Sequence, residues 1–130
     1  MKEVYLIHSE MEGPSPRKGM LELAGYHVTC MGEASTCLNA IEARKPALIV
    51  VDTLISGMNG FKLLERIRQH HNGVDLPVIL CTEIYTGSVF EEEARRLGAQ
   101  HYFVLPVVLD KFVDKVNELT DVGTSGKAAA

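Results

Sequence analysis

The sequence is poor in cysteine and in aromatic residues. It contains three cysteines, no tryptophan, four phenylalanines and four tyrosines in 130 residues. Cys30, Cys37 and Cys81 are odd in number and lack CxxC spacing, which disfavours both a disulfide framework and a zinc site. We expect these thiols to be small side chains that are buried or half-buried.

Long hydrophobic runs are also lacking. Near the start of the chain, residues 4–7 form an apolar run that is too short for a signal peptide. No other run approaches the length that spans a bilayer. The sequence therefore predicts a cytoplasmic protein with no membrane partner.

Charge of neither sign dominates. The 17 acidic residues exceed the 13 lysines and arginines by only four, and the basic residues form no stripe, so binding to nucleic acid is disfavoured. A chain of 130 residues with 46% hydrophobic residues forms one domain. Because its last residues are small and polar, we expect a domain at residues 1–119 and a flexible tail or linker at 120–130.

The most distinctive stretch is an apolar run that stops at one carboxylate. Residues 47–51 are all apolar, Asp52 follows directly, and a turn rich in Gly, Ser and Asn comes next. This pattern predicts a strand that is buried on both faces and ends at Asp52. Ligands of open parallel sheets collect beyond the carboxyl ends of the strands, so Asp52 is a candidate functional group. The alternative is an aspartate that only caps a turn.

Short apolar runs alternate with helical patterns along the whole chain. The other predicted strands lie at residues 4–7, 27–31, 77–81 and 102–105. Five helical patterns follow the strands; Ser15 caps the first, with Pro16 at its first position, and a capping box at Ser88 opens the fourth. We predict an α/β fold: a doubly wound, five-stranded parallel sheet in the flavodoxin-like order 2-1-3-4-5, with helices on both faces.

This strand order gathers several polar side chains at one edge of the sheet. The first and third strands end side by side, so His8, Ser9 and Asp52 are expected to share one crevice. Thr82 and Leu105 follow the fourth and fifth strands and are expected to line its far side.

Several of these segments resemble the receiver domain of bacterial two-component response regulators, over residues 4–119. Residues 49–52 and 57–60 are similar to its phospho-acceptor strand and the loop that follows. The resemblance implies that Asp52 is the phospho-acceptor, Thr82 a phosphate contact and Tyr102 the switch aromatic. It also implies a protein partner, either a histidine kinase or phosphotransfer protein or an output domain. A homodimer through the last two helices is a further option.

Three positions depart from the receiver pattern. Receivers hold Mg²⁺ with two acids after the first strand and carry a lysine before the final proline, but here the matching residues are His8, Ser9 and Leu105. Imidazole and hydroxyl groups are poor ligands for Mg²⁺, and a leucine neutralises no phosphoryl charge. We therefore favour a pseudo-receiver without a cofactor, which acts by protein–protein interaction and has impaired Mg²⁺-dependent phosphorylation. The alternative is an ordinary receiver in a phosphorelay, which uses Mg²⁺ and accepts the phosphoryl group on Asp52.

His8 is also a candidate partner for the Asp52 carboxylate, which has lost the usual lysine and metal. A nearby carboxylate would raise the pKa of the imidazole, whereas burial would lower it. The alternative is a ring that turns outward or bonds a loop carbonyl.

Enzyme activity is disfavoured. An aspartate-nucleophile phosphatase needs a second aspartate two residues after the first, where this chain has Leu54. A flavodoxin-like flavin protein needs a hydroxyl-rich phosphate loop after the first strand, but here Glu10 and Glu12 follow Ser9. We expect a signalling domain and not an enzyme.

Overall fold

The computed structural model describes residues 2–9 and 15–121, which form one sheet and five helices. The strands are β1 (Glu3–Ile7), β2 (His27–Met31), β3 (Leu48–Asp52), β4 (Val78–Thr82) and β5 (His101–Val104). The helices are α1 (Pro16–Leu23), α2 (Ala34–Ala43), α3 (Gly60–Arg68), α4 (Ser88–Arg96) and α5 (Leu109–Thr120). All strand pairs are parallel and the order is β2-β1-β3-β4-β5, so the predicted fold is confirmed.

The three inner strands are buried because each is a nearly continuous apolar run. Every residue of β3 and β4 is buried, and β1 is buried from Val4 onward. β2 mixes buried and exposed side chains, which suits an edge strand. The parallel register places Ile7 beside Val51 and Asp52 beside Cys81. The ends of β1, β3 and β4 therefore lie at one edge of the sheet.

The helices cover the sheet in two layers. One face of the sheet is packed by apolar side chains of α2 and α3 and by Ala94 of α4. The other face is packed by Leu21 of α1 and by Phe112 and Val116 of α5. These two layers fix the start of α1 and the start of α3 near the edge where Asp52 lies.

The first and fourth helices begin in different ways. Ser15 caps α1 as predicted, since its hydroxyl oxygen accepts from the backbone N–H of Arg17 at 3.2 Å and Pro16 is the first helical residue. The capping box predicted at Ser88 is wrong: the N-cap of α4 is Gly87, with no side-chain cap hydrogen bond. Gly87 has φ of 107°, a conformation that favours glycine, and it turns the chain into the helix without a side-chain cap.

The cysteines match the prediction at two positions of three. Cys37 and Cys81 are buried, and burial raises the pKa of each thiol to about 12. Cys30 is exposed, because it lies on the outer edge strand β2. Among the described residues, no group of three or more His, Cys, Asp or Glu side chains is arranged to hold a metal ion.

Two further predictions concern membrane-spanning segments and the boundary between the domain and its tail. In the described part of the chain, no helix is both long and apolar enough to cross a membrane. The predicted tail at 120–130 overlaps α5 by one residue, since α5 ends at Thr120. Residues 122–130 lie outside the described residues.

Candidate functional site

Asp52 is the last residue of β3, and the loop after it folds back tightly. The Thr53 backbone N–H donates to the Cys81 carbonyl at 2.8 Å, and the Gly60 N–H donates to the Thr53 carbonyl at 2.8 Å. A Cβ atom on Gly60 would lie 2.5 Å from the Asp52 carbonyl oxygen, so α3 approaches β3 this closely only because residue 60 is glycine. The backbone around Asp52 is therefore held by neighbours on both sides.

The carboxylate of Asp52 is paired with Arg17. The Arg17 Nη1 atom donates to Oδ1 at 2.6 Å and Nη2 donates to Oδ2 at 2.8 Å, which is a two-pronged charge-assisted pair. Both residues are 6% exposed. The cap at Ser15 and Pro16 sets the first turn of α1, and this turn delivers the Arg17 side chain to the end of β3.

Electrostatics keep the Arg17 guanidinium charged. Burial by itself would lower the pKa of the Arg17 guanidinium, but the hydrogen bonds and the negative charge of Asp52 outweigh it and raise the pKa above its ordinary value. Arginine is already protonated at every accessible pH. Asp52 therefore faces a permanent positive charge within hydrogen-bonding distance.

This arrangement corrects the expectation for His8. His8 is buried, and its backbone N–H donates to the Met31 carbonyl at 2.9 Å. Between the described residues His8 and Asp52 there is neither a hydrogen bond nor an ion pair, and both oxygens of Asp52 accept from Arg17. Asp52 lacks the usual lysine, as the sequence indicates, but Arg17 supplies a positive charge in its place.

Two cavities lie beside residues that were expected to form the crevice. A small cavity at the end of β3 is lined by Asp52, Thr53, Leu54, Cys81, Glu83 and Leu105, and its volume is about 10 Å³. Leu105 lies there as predicted and makes that wall apolar. Ser9 instead lines a separate cavity of about 370 Å³ with residues that include Met31, Glu33 and Ser56. The crevice shared by His8, Ser9 and Asp52 stays a prediction.

Thr82 organises the loop after β4. Its hydroxyl oxygen accepts from the backbone N–H groups of Ile84 at 3.2 Å and Tyr85 at 2.9 Å. The buried Thr53 hydroxyl donates to it at 3.0 Å. The predicted role of Thr82 as a phosphate contact stays a prediction, and in this structure its hydroxyl is committed to the loop.

Tyr102 continues this network. Its hydroxyl donates to the Tyr85 carbonyl at 2.6 Å, and its ring lies 6.1 Å from the ring of Phe61 on α3. The side chain is half-buried, and burial raises the pKa of its hydroxyl. Polar contacts thus run from Thr53 through Thr82 and the Tyr85 backbone to Tyr102, so the predicted switch aromatic is tied to the end of β4.

The residues beside Asp52 do not fit a magnesium site. Mg²⁺ requires hard oxygen ligands, and the positions next to Asp52 in the receiver pattern are the imidazole of His8 and the hydroxyl of Ser9. Both Asp52 oxygens already accept from Arg17. Glu83 is the one other carboxylate among the described residues that line the cavity at Asp52, so with Asp52 held by Arg17 the described residues offer no free pair of acids for Mg²⁺.

Arg17 is the functional residue that the sequence prediction missed. A cation in the first turn of a helix opposes the helix dipole, and α1 has no acidic residue in that turn to offset it. The positive charge of Arg17 at this position indicates a pairing with an anion elsewhere in the fold. This signal was present in Ser15, Pro16 and Arg17, although it does not identify the anion.

The chain is similar to known proteins in sequence and in structure. Residues 17–117 match the family model described as the response regulator receiver domain. An uncharacterized 14.6 kDa protein of Leptolyngbya boryana is 35% identical over 105 residues, which cover 81% of this chain and 79% of that protein. The probable transcriptional regulatory protein TcrX of Mycobacterium tuberculosis is 31% identical over 101 residues, which cover 76% of this chain and 41% of TcrX.

Longer proteins and solved structures extend the comparison. The C4-dicarboxylate transport transcriptional regulatory protein DctD of Pseudomonas aeruginosa is 30% identical over 92% of this chain, which spans 25% of DctD. The chain thus spans less than half the length of TcrX and DctD. A receiver domain protein from Methanospirillum hungatei superposes with a TM-score of 0.84 at 24% identity, covering 97% of this chain and 98% of that one. The receiver domain of Francisella response regulator 1452 gives 0.84 at 20% identity, with 95% and 99% covered.

Proposed function

This chain belongs to the response regulator receiver domain family, and we propose that it is a pseudo-receiver whose Asp52 is held by Arg17 instead of accepting a phosphoryl group. The observation that carries this proposal is the buried two-pronged pair between the two side chains. Receiver domains are in general signalling domains and not enzymes. The proposed activity is therefore contact with a protein partner.

Charge supports the proposal. Phosphoryl transfer to a carboxylate brings two anions together, and cations that hold the transferring oxygens lower the barrier. At the positions where receivers have two acids and a lysine, this chain has His8, Ser9 and Leu105. Glu83 lines the cavity beside Asp52 and adds a negative charge that repels an incoming phosphodonor.

The volume of the cavity at Asp52 also supports the pseudo-receiver proposal. The cavity at Asp52 has a volume of about 10 Å³, close to the minimum that holds one water molecule. A phosphoryl group is much larger than a water molecule. For phosphorylation, Arg17 has to release an oxygen of Asp52 from the buried pair.

An ordinary phospho-accepting receiver is the second candidate. Asp52 lies at the end of β3 with Thr82 at the end of β4, and a guanidinium is a good ligand for phosphate. In this alternative, Arg17 would move from the carboxylate to the transferred phosphoryl group. The alternative requires Arg17 to be exchangeable, which its burial and its two hydrogen bonds oppose.

The proposed partner is a protein of a two-component pathway. Two-component receivers interact with histidine kinases, phosphotransfer proteins or output domains. The relatives TcrX and DctD are transcriptional regulatory proteins that extend well beyond the matched segment, so an output domain is the partner class that they suggest. A homodimer through α4 and α5 stays a prediction.

A titration with beryllofluoride and Mg²⁺ tests the proposal. Beryllofluoride mimics a phosphoryl group on aspartate, and backbone amide shifts report its binding. We expect no saturable shift at Asp52, Thr53 or Thr82 in the wild-type chain. Saturable shifts that disappear in Asp52→Asn would overturn the pseudo-receiver proposal and favour the phospho-accepting alternative.

A further inference from the structure

A basic groove lies at the opposite edge of the sheet from Asp52, between the ends of α2 and α3. Its volume is about 550 Å³. The apolar part of its lining is Leu38, Ile41, Ala43 and Ile67. The charged and polar part of the lining is Glu42, Arg44, Lys45, Arg66, Gln69, His70 and His71. We call this feature the α2–α3 groove; its lysine and arginines outnumber its one acid.

The cations of this groove are less well neutralised than most others in the molecule. Among the lysines and arginines of the described residues, Lys45, Arg66 and Lys111 lack an ion pair within 4.0 Å, and Arg68 donates to carbonyl groups and to Gln100. Two of these three unpaired cations line the α2–α3 groove. Arg44, its third cation, has one ion pair at the 4.0 Å limit, to Glu3. The groove is therefore suited to an acidic occupant with some apolar surface.

The same chain presents such a surface at the start of α4. Val89 is 75% exposed and Ile84, in the loop before the helix, is 55% exposed. Glu83 directly precedes Ile84 and Glu92 lies one helical turn after Val89; both acids are exposed, and neither forms an ion pair within the described residues, whereas Glu91 and Glu93 do. Val89 and Glu92 are three residues apart on the helix, so they share one face. We call Glu83, Ile84, Val89 and Glu92 the α4 edge.

We infer that the α2–α3 groove of one copy receives the α4 edge of a second copy. Val89 and Ile84 would contact Leu38 and Ala43, the apolar lining residues that are not buried, and Glu83 and Glu92 would face Lys45 and Arg66. The groove and the edge are different surfaces of one molecule, so the contact is heterologous and joins copies head to tail. The α2–α3 groove includes neither residue of the Arg17 pair, whereas Glu83 of the α4 edge also lines the cavity at Asp52.

Sedimentation velocity of the full chain over a range of protein concentrations tests the inference. The mean mass is expected to rise with concentration, and to rise less at high salt because screening weakens the charge contacts. The variant Lys45→Glu/Arg66→Glu places acids opposite acids, and we expect the association constant to fall at least about tenfold. The matched control is Lys111→Glu, which reverses an unpaired cation outside the groove and should leave association unchanged.

A mixing experiment distinguishes this contact from a symmetric dimer. The variant Val89→Ser/Glu92→Gln has an intact groove and a disabled edge, whereas Lys45→Glu/Arg66→Glu has an intact edge and a disabled groove. Each variant alone is expected to stay monomeric. An equimolar mixture is expected to form a one-to-one dimer that grows no further, since only one productive contact is left.

Three results would overturn the inference. One is a wild-type chain that is monomeric at every concentration. Another is association that survives Lys45→Glu/Arg66→Glu, as a dimer through α4 and α5 would. The third is a mixture that stays monomeric although circular dichroism shows both variants folded. All of the substituted side chains are exposed, so loss of the fold is not the expected outcome.

Discussion

Asp52 and Arg17 stabilise each other because neither has another opposite charge at hydrogen-bonding distance in the described structure. Removing one partner of a buried ion pair leaves the other charge buried and unpaired. This lowers the free energy of unfolding by about 3–5 kcal/mol. Replacing both partners with apolar side chains removes the charges together and is often close to neutral. The pair therefore makes Asp52 a structural residue, whatever its chemistry.

Substitution of either partner alone is expected to destabilise the domain strongly. We expect Asp52→Leu and Arg17→Met each to lower the free energy of unfolding by about 3–5 kcal/mol. The double variant is expected to recover most of that loss, because no buried charge is left. Urea unfolding followed by circular dichroism measures all three.

The matched control for this experiment is the exposed pair of Lys62 and Glu65 at 2.8 Å. Lys62→Met is expected to change stability by no more than about 1 kcal/mol, as for other surface pairs. If Asp52→Leu proved as stable as the wild-type chain, the Arg17 pair would not be the interaction that holds Asp52.

His101 is expected to give the domain a stability that depends on pH. Burial, and then the charge of Lys115, lower the pKa of His101 below 6.5, against smaller opposing effects of Glu91 and Glu118. The folded chain thus favours the neutral ring. The resulting stability is present above the unfolded pKa near 6.5 and is lost as pH falls toward the folded value.

Urea unfolding between about pH 5 and 7 checks this prediction. The wild-type chain is expected to lose more stability on acidification than His101→Gln, whose side chain does not titrate. Other titrating groups are common to both proteins and cancel in the comparison. Parallel stability curves for the two proteins would contradict the assigned shift.

At the scale of elements, Arg68 at the end of α3 joins three segments. Its guanidinium donates to the carbonyls of His71 at 3.1 Å, Leu76 at 2.7 Å and Gly98 at 2.8 Å. It also donates to the Gln100 side-chain oxygen at 2.9 Å, and that oxygen accepts from the Val78 backbone N–H at 2.7 Å. The Arg68 side chain therefore fixes the segments that lead into β4 and β5 relative to α3.

We expect Arg68→Lys to lower the free energy of unfolding by about 2 kcal/mol. A single ammonium cannot reach all of these acceptors, and unsatisfied, partly buried carbonyls cost about 1–3 kcal/mol. Arg66→Lys on the same helix is the control and should change stability by less than about 0.5 kcal/mol, because Arg66 is exposed and unpaired. Equal effects of the two substitutions in chemical denaturation would refute this role of Arg68.

The elements themselves were largely predictable because their signals are local. Continuous apolar runs identified β1, β3 and β4, and Ser15 with Pro16 identified the start of α1. The start of α4 was predicted with the wrong cap, since Ser88 has the residue type of a cap but Gly87 has the backbone conformation. Residue type is visible in a sequence, whereas a backbone angle is set by the fold.

The site was less predictable than the fold. Parallel topology was enough to place Asp52 and Leu105 around one cavity. It did not reveal Arg17, because a pair between residues 35 positions apart depends on how α1 is seated against the sheet.

Efficient phosphoryl binding is expected to require changes at two places in the molecule. One is the set of positions where receivers carry two acids and a lysine, and the other is Arg17 in α1. His8→Asp, Ser9→Asp and Leu105→Lys together rebuild the missing acids and lysine, but Arg17 would still occupy both oxygens of Asp52. We expect this triple variant to respond weakly to beryllofluoride and Mg²⁺. Adding Arg17→Ala should produce clearly larger amide shifts, because these groups act as a unit.

The test is the difference in amide shifts between the triple variant and the variant that also carries Arg17→Ala. Asp52→Asn in the background with all four changes is the control and should abolish the shifts. A triple variant that responds as strongly as the one lacking Arg17 would show that the arginine is no obstacle to phosphoryl binding.

The Arg17 pair also bears on how such a chain changes over generations. Once an arginine pairs with the aspartate at this position, a mutation of either residue alone leaves an unpaired charge in the interior. Such a mutation lowers the stability of the fold and is therefore selected against. The aspartate is then expected to persist in descendants whether or not they use it for signalling, and to disappear only together with the arginine. In a lineage of this kind, an intact aspartate reflects the stability of the pair and is not by itself a sign of phosphorylation.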